Sequence, residues 1–150
     1  MEQGPQYALR GATPEDYQFA ESIYIDAMRP LMLQFSRWNE EERRAALRRS
    51  FTAADTSIII VDGRDIGWMQ ITERDTDYNL AQLQLLEQYC GRGVGTCLIS
   101  GLLDKAAGEE RTVSLSVVRI NRAIGLYMRL GFRVVDPEAT PILDMVWGER

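Results

Sequence analysis

The stretch YCGRGVGTCLI, Tyr89 to Ile99, sets three glycines at alternate positions directly before an apolar run with helical spacing. Chains place glycine where the backbone must take a positive φ or come unusually close to something. A strand, then glycines, then a helix start points unpaired N–H groups and the positive end of the helix dipole at an anion, for which phosphate is the natural guest. Two well-known phosphate loops do not fit. A dinucleotide fingerprint needs a third glycine at a different offset, a βαβ setting and an acid about 20 residues further on. A nucleotide P-loop needs a lysine before its Ser or Thr, and Gly95-Thr96 lacks it. Taken alone, the stretch reads equally well as an anion cradle and as a glycine-rich turn.

Upstream of it, Tyr78 to Leu86 reads as a strand with Gln82 and Gln84 on one face and Ala81, Leu83 and Leu85 on the other. It is the third strand of an antiparallel run. SIIIVDGRDIGWMQIT, Ser57 to Thr72, predicts two strands joined by a tight Asp62-Gly63 turn, and RDTD at Arg74 to Asp77 is the next turn. Before them, a short strand at Tyr7 to Arg10 leads to TPED at Thr13 to Asp16, with a threonine cap, proline at the first helical position and acids behind it. Tyr17, Ala20, Ile23, Tyr24, Ala27 and Met28 keep helical spacing until Pro30 interrupts it near Arg29. A second helix is expected from Glu40, with Glu40, Glu41 and Glu42 in its first turn and Arg48 and Arg49 in its last, each favoured by the helix dipole.

Downstream, Thr96 to Ala107 reads as a helix ended by Gly108, Val113 to Val118 as a strand, and Asn121 to Leu130 as a helix stopped by Gly131. Phe132 to Val135 and Ile142 to Trp147 complete the strands. The order β-α-α-β-β-β-α-β-α-β-β, without repeats or a linker, predicts one α+β domain over residues 1–150 around a mixed sheet.

Composition narrows the chemistry. The chain has 150 residues, a formal charge of −5 and no histidine. Its acidity argues against a general affinity for nucleic acid. The commonest general base and the commonest metal ligand are both missing, and two cysteines without further ligands suggest neither zinc nor a disulfide framework, so no metal is expected. No window is apolar enough for a membrane span. Met1 to Gln6 has neither the basic region nor the apolar stretch of an export signal, so a cytoplasmic location is expected.

Leu83 to Leu98, LQLLEQYCGRGVGTCL, followed after one helix and one strand by VVRINRAIGLYMRLGFRVV at Val117 to Val135, resembles the GNAT superfamily of acetyl-CoA-dependent N-acetyltransferases. The resemblance covers about Ile58 to Val135 and implies a mixed, mostly antiparallel sheet of about seven strands flanked by about four helices. It implies that backbone N–H groups of Gly91, Arg92, Gly93, Val94, Gly95 and Thr96 hold the coenzyme A pyrophosphate. Leu85 and Leu86 match positions whose main chain meets the pantetheine arm and orients the acetyl carbonyl, and a splay between their strand and Val113 to Val118 would admit that arm. Asn121 matches an asparagine that contacts the cofactor, a role compatible with capping its helix. Tyr127 matches the tyrosine that protonates the departing thiolate, whereas periodicity alone would make it a core residue. Arg92 adds charge near a phosphate or is a solvated loop arginine.

Two positions depart from the family pattern. Cys90 stands where Arg or Gln is usual, and Gln84 stands where many relatives carry an acid that takes a proton from the acceptor amine. Glu87 and Glu73 are the nearest carboxylates in sequence that could substitute for it, and each also reads as an ordinary surface acid. The resemblance therefore implies transfer of an acetyl group to a small-molecule or peptide amine, with a non-catalytic acyl-CoA-binding or regulatory module as the alternative. A homodimer is left open. Met28, Arg29, Trp38 and Trp147 lie in the segments that set acceptor specificity in that family.

Overall fold

The computed structural model describes residues 6–34, 39–139 and 141–148. Two compact units are distinguishable, one taking in the chain up to Gln70 together with Gln82–Val94, the other Ile71–Ala81 with the chain from Gly95 onward. Strand β1 is Ala8–Gly11, helices α1 and α2 are Tyr17–Met32 and Glu40–Ser50, and strands β2, β3 and β4 are Thr56–Val61, Arg64–Glu73 and Asp77–Leu85. Helix α3, Val94–Gly108, strand β5, Thr112–Val118, helix α4, Ala123–Arg129, and strands β6, Arg133–Val134, and β7, Ile142–Trp147, follow. The seven strands form one sheet in the order β1-β2-β3-β4-β5-β7-β6. Pairing between β4 and β5 is parallel, and the β1–β2, β2–β3, β5–β7 and β6–β7 pairs are antiparallel.

Local chemistry explains the elements of the first unit. Asp62 and Gly63 take φ of 52° and 77°, the positive pair that a two-residue hairpin turn requires. Thr13 starts a 3-10 turn that runs into α1, and its N–H donates to Asp16 Oδ2 at 2.8 Å. The Asn39 side chain accepts from the Glu42 N–H at 3.1 Å and opens α2 where the acids predicted it. Ala20, Ile23, Tyr24 and Ile25 of α1 join Leu47, Ile58 and Trp68 in a buried core, with Leu86 packed against it. Trp68 is fully buried and donates Nε1–H to the Ala20 carbonyl at 3.0 Å. Gln70, also buried, donates to the Ser50 carbonyl at 2.9 Å and so ties the end of α2 to β3.

In the second unit the burial of β5 alternates from Val113 to Val117, with Thr112 and Val118 also buried at its ends. Val113, Leu115 and Val117 are buried, Ser114 is half-buried and Ser116 is exposed. Leu98, Ile99, Leu102 and Ala106 of α3, Tyr127 of α4, Phe132, and Leu143 and Met145 of β7 are also buried. Burial of each large aliphatic side chain contributes about 1.5–3 kcal/mol.

Three expectations are corrected. Helix α1 does not stop at Pro30 but runs to Met32. The missing proline N–H deprives the Asp26 carbonyl of its helical partner on an exposed stretch open to solvent, and Leu33 N–H still reaches Arg29 O at 3.0 Å. Helix α3 starts at Val94 rather than Thr96, so Gly95 lies in its first turn. Gly108 is the last residue of that helix and not its left-handed stop; Glu110, with φ of 58°, takes that conformation, and the Arg111 N–H returns to Ala106 O at 2.8 Å.

Candidate active site

Gly91 and Gly93 take φ of 76° and 84°, so their conformation demands glycine. Gly95 is helical, and a Cβ built there would meet Leu126 Cδ2 at 3.9 Å, an ordinary contact. Neither conformation nor packing thus requires the third glycine. Close approach of a ligand would. Among the described residues, the main-chain N–H groups from Gly91 to Thr96 find no acceptor outside α3, and the first turn of a helix supplies none of its own. The loop is exposed at Gly91 and Arg92. The Arg92 guanidinium lies 5.4 Å from the centre of the Tyr89 ring, and among the described residues no carboxylate pairs with it.

Strand β4 leads into this loop through a 3-10 turn at Glu87–Tyr89. Leu86 has its main chain taken up: its N–H donates to Ile66 O at 2.8 Å and its carbonyl accepts from Tyr89 N–H at 2.9 Å. Strand residues alternate in the direction of their main-chain groups, so the N–H of Leu85 points away from β3. On that edge the ladder to β5 runs only from Asp77↔Thr112 to Leu80↔Leu115. Gly67 on β3, given no role by the sequence, allows β4 to come close: a Cβ there would stand 2.3 Å from the Gln84 carbonyl oxygen. A glycine isolated inside a strand was the available signal.

The Cys90 thiol lies 3.7 Å from Leu86 O and 3.9 Å from Leu85 O, weak contacts that steady the turn. Gln84 donates Nε2–H to Gln82 Oε1 at 2.9 Å, consistent with the shared face expected for the pair. Of the two carboxylates weighed as substitutes, Glu87 is exposed in the 3-10 turn, and Glu73 pairs with Arg111 at 2.9 Å.

In the second unit, Asn121 Oδ1 accepts from the Ala123 N–H at 2.8 Å and caps α4. Tyr127 is 9% exposed, its ring edge-on to Phe132 at 5.7 Å. Burial pushes its phenol above the ordinary tyrosine value, which keeps it protonated at neutral pH. Among the described residues no group hydrogen-bonds to its hydroxyl. That a Cβ on Gly95 would reach Leu126 places the first turn of α3 beside α4, the helix that carries Tyr127.

The segments expected to set acceptor specificity are partly engaged in structure. Met28 packs against the core of the first unit, Arg29 pairs with Glu40 at 2.7 Å, and the Trp147 indole lies against Gly131. Trp38 lies outside the described residues. Among the described residues no group of three or more His, Cys, Asp or Glu side chains could hold a metal ion, and no helix is long and apolar enough to cross a membrane.

Comparison with known proteins bears on the fold and the family. No curated protein sequence matches the chain. Among solved structures, a GCN5-related N-acetyltransferase from Rhodopseudomonas palustris is 19% identical with a TM-score of 0.70, covering 99% of each chain. Apo YjaB from Escherichia coli is 19% identical with a TM-score of 0.72, over 97% of this chain and 99% of that one. The PaiA N-acetyltransferase from Thermoplasma acidophilum, in complex with coenzyme A, is 17% identical with a TM-score of 0.67, over 96% of this chain and 99% of that one. These likenesses establish the fold. Residues 52–134 match the family model of the acetyltransferase (GNAT) domain. With that match over more than half of its length, the chain belongs to the GNAT family of acetyltransferases.

Proposed function

We propose that the whole chain acts as one N-acetyltransferase domain that moves an acetyl group from acetyl-CoA to a primary amine. The observation that carries this reading is the Gly91–Thr96 segment, where two glycines with positive φ lead into a helix whose first-turn N–H groups have no other partner among the described residues. Bound coenzyme A fits such a cradle through its diphosphate, and the neighbour from Thermoplasma acidophilum is a complex with coenzyme A. Acetyl-CoA supplies the acetyl group as an activated thioester.

In this reading Gly91, Arg92, Gly93, Val94, Gly95 and Thr96 bind the diphosphate. Their N–H groups supply the fixed dipoles and the Arg92 guanidinium adds a positive charge. Cys90 closes the turn before them. The N–H of Leu85, directed away from β3, donates to the acetyl carbonyl oxygen and stabilises negative charge that develops there. Leu86 holds β4 against β3 and so fixes the orientation of Leu85. Asn121 caps α4 through Oδ1 and offers its side-chain N–H₂ to the cofactor arm. Tyr127 donates its hydroxyl proton to the leaving sulfur, a role supported by a protonated phenol without a protein acceptor.

Two measurements test the reading. Coenzyme A at 100 times its dissociation constant should raise stability by about 2.7 kcal/mol, visible as a thermal shift. Free thiol should be released from acetyl-CoA when a panel of primary amines is added. Absence of a shift at millimolar coenzyme A would overturn the proposal.

A further inference from the structure

Ser114 joins β4 to β5 through its side chain. Asn79 stands opposite it in the parallel register, and Asn79 Nδ2–H donates to Ser114 Oγ at 3.1 Å and to Ser114 O at 3.4 Å. The Ser114 hydroxyl in turn donates to Asp77 Oδ2 at 2.8 Å. Its proton is thereby committed and its lone pairs are left for the Asn79 amide, so the three groups form one directed chain of hydrogen bonds. Asp77, Asn79 and Ser114 are half-buried, on the face opposite the buried Tyr78, Leu80, Val113 and Leu115.

The two edges of β5 are held unequally. On one, six consecutive pairs bind it to β7, from Val113↔Trp147 to Val118↔Ile142, and the Ser116 hydroxyl adds a bond to Asp144 Oδ1 at 2.6 Å. On the other, four pairs bind it to β4, and Asn79↔Ser114 is the last but one of them. Parallel pairing is also the slightly weaker kind per residue. A side-chain tie one pair before the end of so short a ladder resists peeling where peeling would begin. From Ala81 onward the main chain of β4 on this edge is outside the ladder, and the Leu85 N–H lies on that stretch. The end of the ladder therefore decides which main-chain groups of β4 a ligand arm can use and how firmly the strand leading to Leu85 is held at its start.

We propose that Ser114 and Asn79 are positioning residues for acetyl transfer. Their hydrogen bonds, backed by Asp77, keep β4 on β5 as far as Leu80 and so hold the stretch from Ala81 to Leu85 in the alignment that receives the pantetheine arm and the acetyl carbonyl. They act through the strand and not by contact with acetyl-CoA. This assignment rests on the acetyl-transfer reading above.

The test uses the full chain and two ligands, acetyl-CoA and ADP, the second of which carries a diphosphate and no pantetheine arm. Ser114→Ala should raise the Kd of acetyl-CoA about 5-fold to 10-fold and leave the Kd of ADP within about 2-fold of the wild type. Ser114→Thr keeps the hydroxyl and should bring acetyl-CoA binding back to within about 2-fold of the wild type. Asn79→Ala leaves the bond from Ser114 to Asp77 in place and should show the same selective loss at about 3-fold; it decides the matter where Ser114→Ala does not fold. A merely structural role would weaken both ligands together or neither, and either result in a folded variant overturns the proposal. Equal loss in Ser114→Ala and Ser114→Thr overturns it as well. A wild type that binds acetyl-CoA no more tightly than ADP overturns it while sparing the diphosphate cradle. A wild type that binds neither ligand removes the acetyl-transfer reading itself and this assignment with it.

Discussion

Gly67 and Gln84 approach each other so closely that a Cβ at Gly67 would stand 2.3 Å from the Gln84 carbonyl oxygen and 2.8 Å from Leu85 Cδ2. The first of these atoms is backbone, so no rotamer change relieves the clash; β3 or β4 must move. Gly67→Ala is expected to cost about 1–3 kcal/mol of stability, the usual range for overpacking. Because the strain falls on the residue that orients the acetyl carbonyl in the proposed mechanism, the acetyl-CoA thermal shift should shrink as well. Denaturant melts with and without acetyl-CoA measure both. Wild-type stability and an unchanged shift would mean that β4 yields without disturbing Leu85.

Gly93 has a different reason to be glycine, its φ of 84°. Gly93→Val adds a branched side chain in a conformation that branched residues rarely adopt. The apo protein should lose about 1–2 kcal/mol. Coenzyme A should then produce no thermal shift, since the side chain keeps the diphosphate from the N–H groups. Gly91→Ala provides the comparison, because φ is also positive there but a Cβ would have nothing within 4 Å. It should lose comparable stability and retain part of the shift.

Legibility in the sequence followed the range of the interactions. The Asp62–Gly63 turn, the acids of α2 and the glycine loop are written within a few residues, and each element was placed to within a few positions. Pro30 misled because proline bars one hydrogen bond, not a helix, and α1 lost that bond on an exposed stretch. Gly67 and Gln84 are brought together by the β3–β4 register, which periodicity does not reveal. Ser116 and Asp144 are 28 residues apart and meet through the β5–β7 register. Tyr127 carried an apolar-face signature that fits both core and acid, and the lack of a partner for its hydroxyl among the described residues is a property of the folded chain.

Asp16 links stability to acid pH. It accepts from Arg10 Nη1–H and Nη2–H at 3.0 and 2.9 Å and from the Thr13 N–H. The Arg10 hydrogen bonds lead in holding its carboxyl at about 2, below the ordinary 3.8. A depressed folded value means that the contribution is present above the ordinary value and is lost as pH falls through about 4 toward 2. Asp16→Asn should lower stability at neutral pH by about 1 kcal/mol, the upper range for a solvent-screened pair, and flatten the decline over that window. Urea melts between pH 2 and 7 measure it, and parallel curves for the two proteins would show that the pair contributes nothing to folding.

Tyr127→Phe separates the acid from the packing role, because it removes one oxygen and keeps the ring against Phe132. No protein hydrogen bond to the hydroxyl is lost among the described residues, so stability near neutral pH should change by less than about 0.5 kcal/mol. Where chemistry limits turnover, kcat should fall at least about 10-fold, a loss of about 1.4 kcal/mol in the transition state, with coenzyme A affinity unchanged. The pH dependence has a defined sign. Burial raises the folded phenol above its ordinary value near 10, so its stabilising contribution is present below about pH 10 and is lost as pH rises through the folded value. Tyr127→Phe should therefore shallow the alkaline decline in stability. Normal turnover by this variant would mean that the thiolate takes its proton from water, and Tyr127 would then be a core residue that happens to carry a hydroxyl.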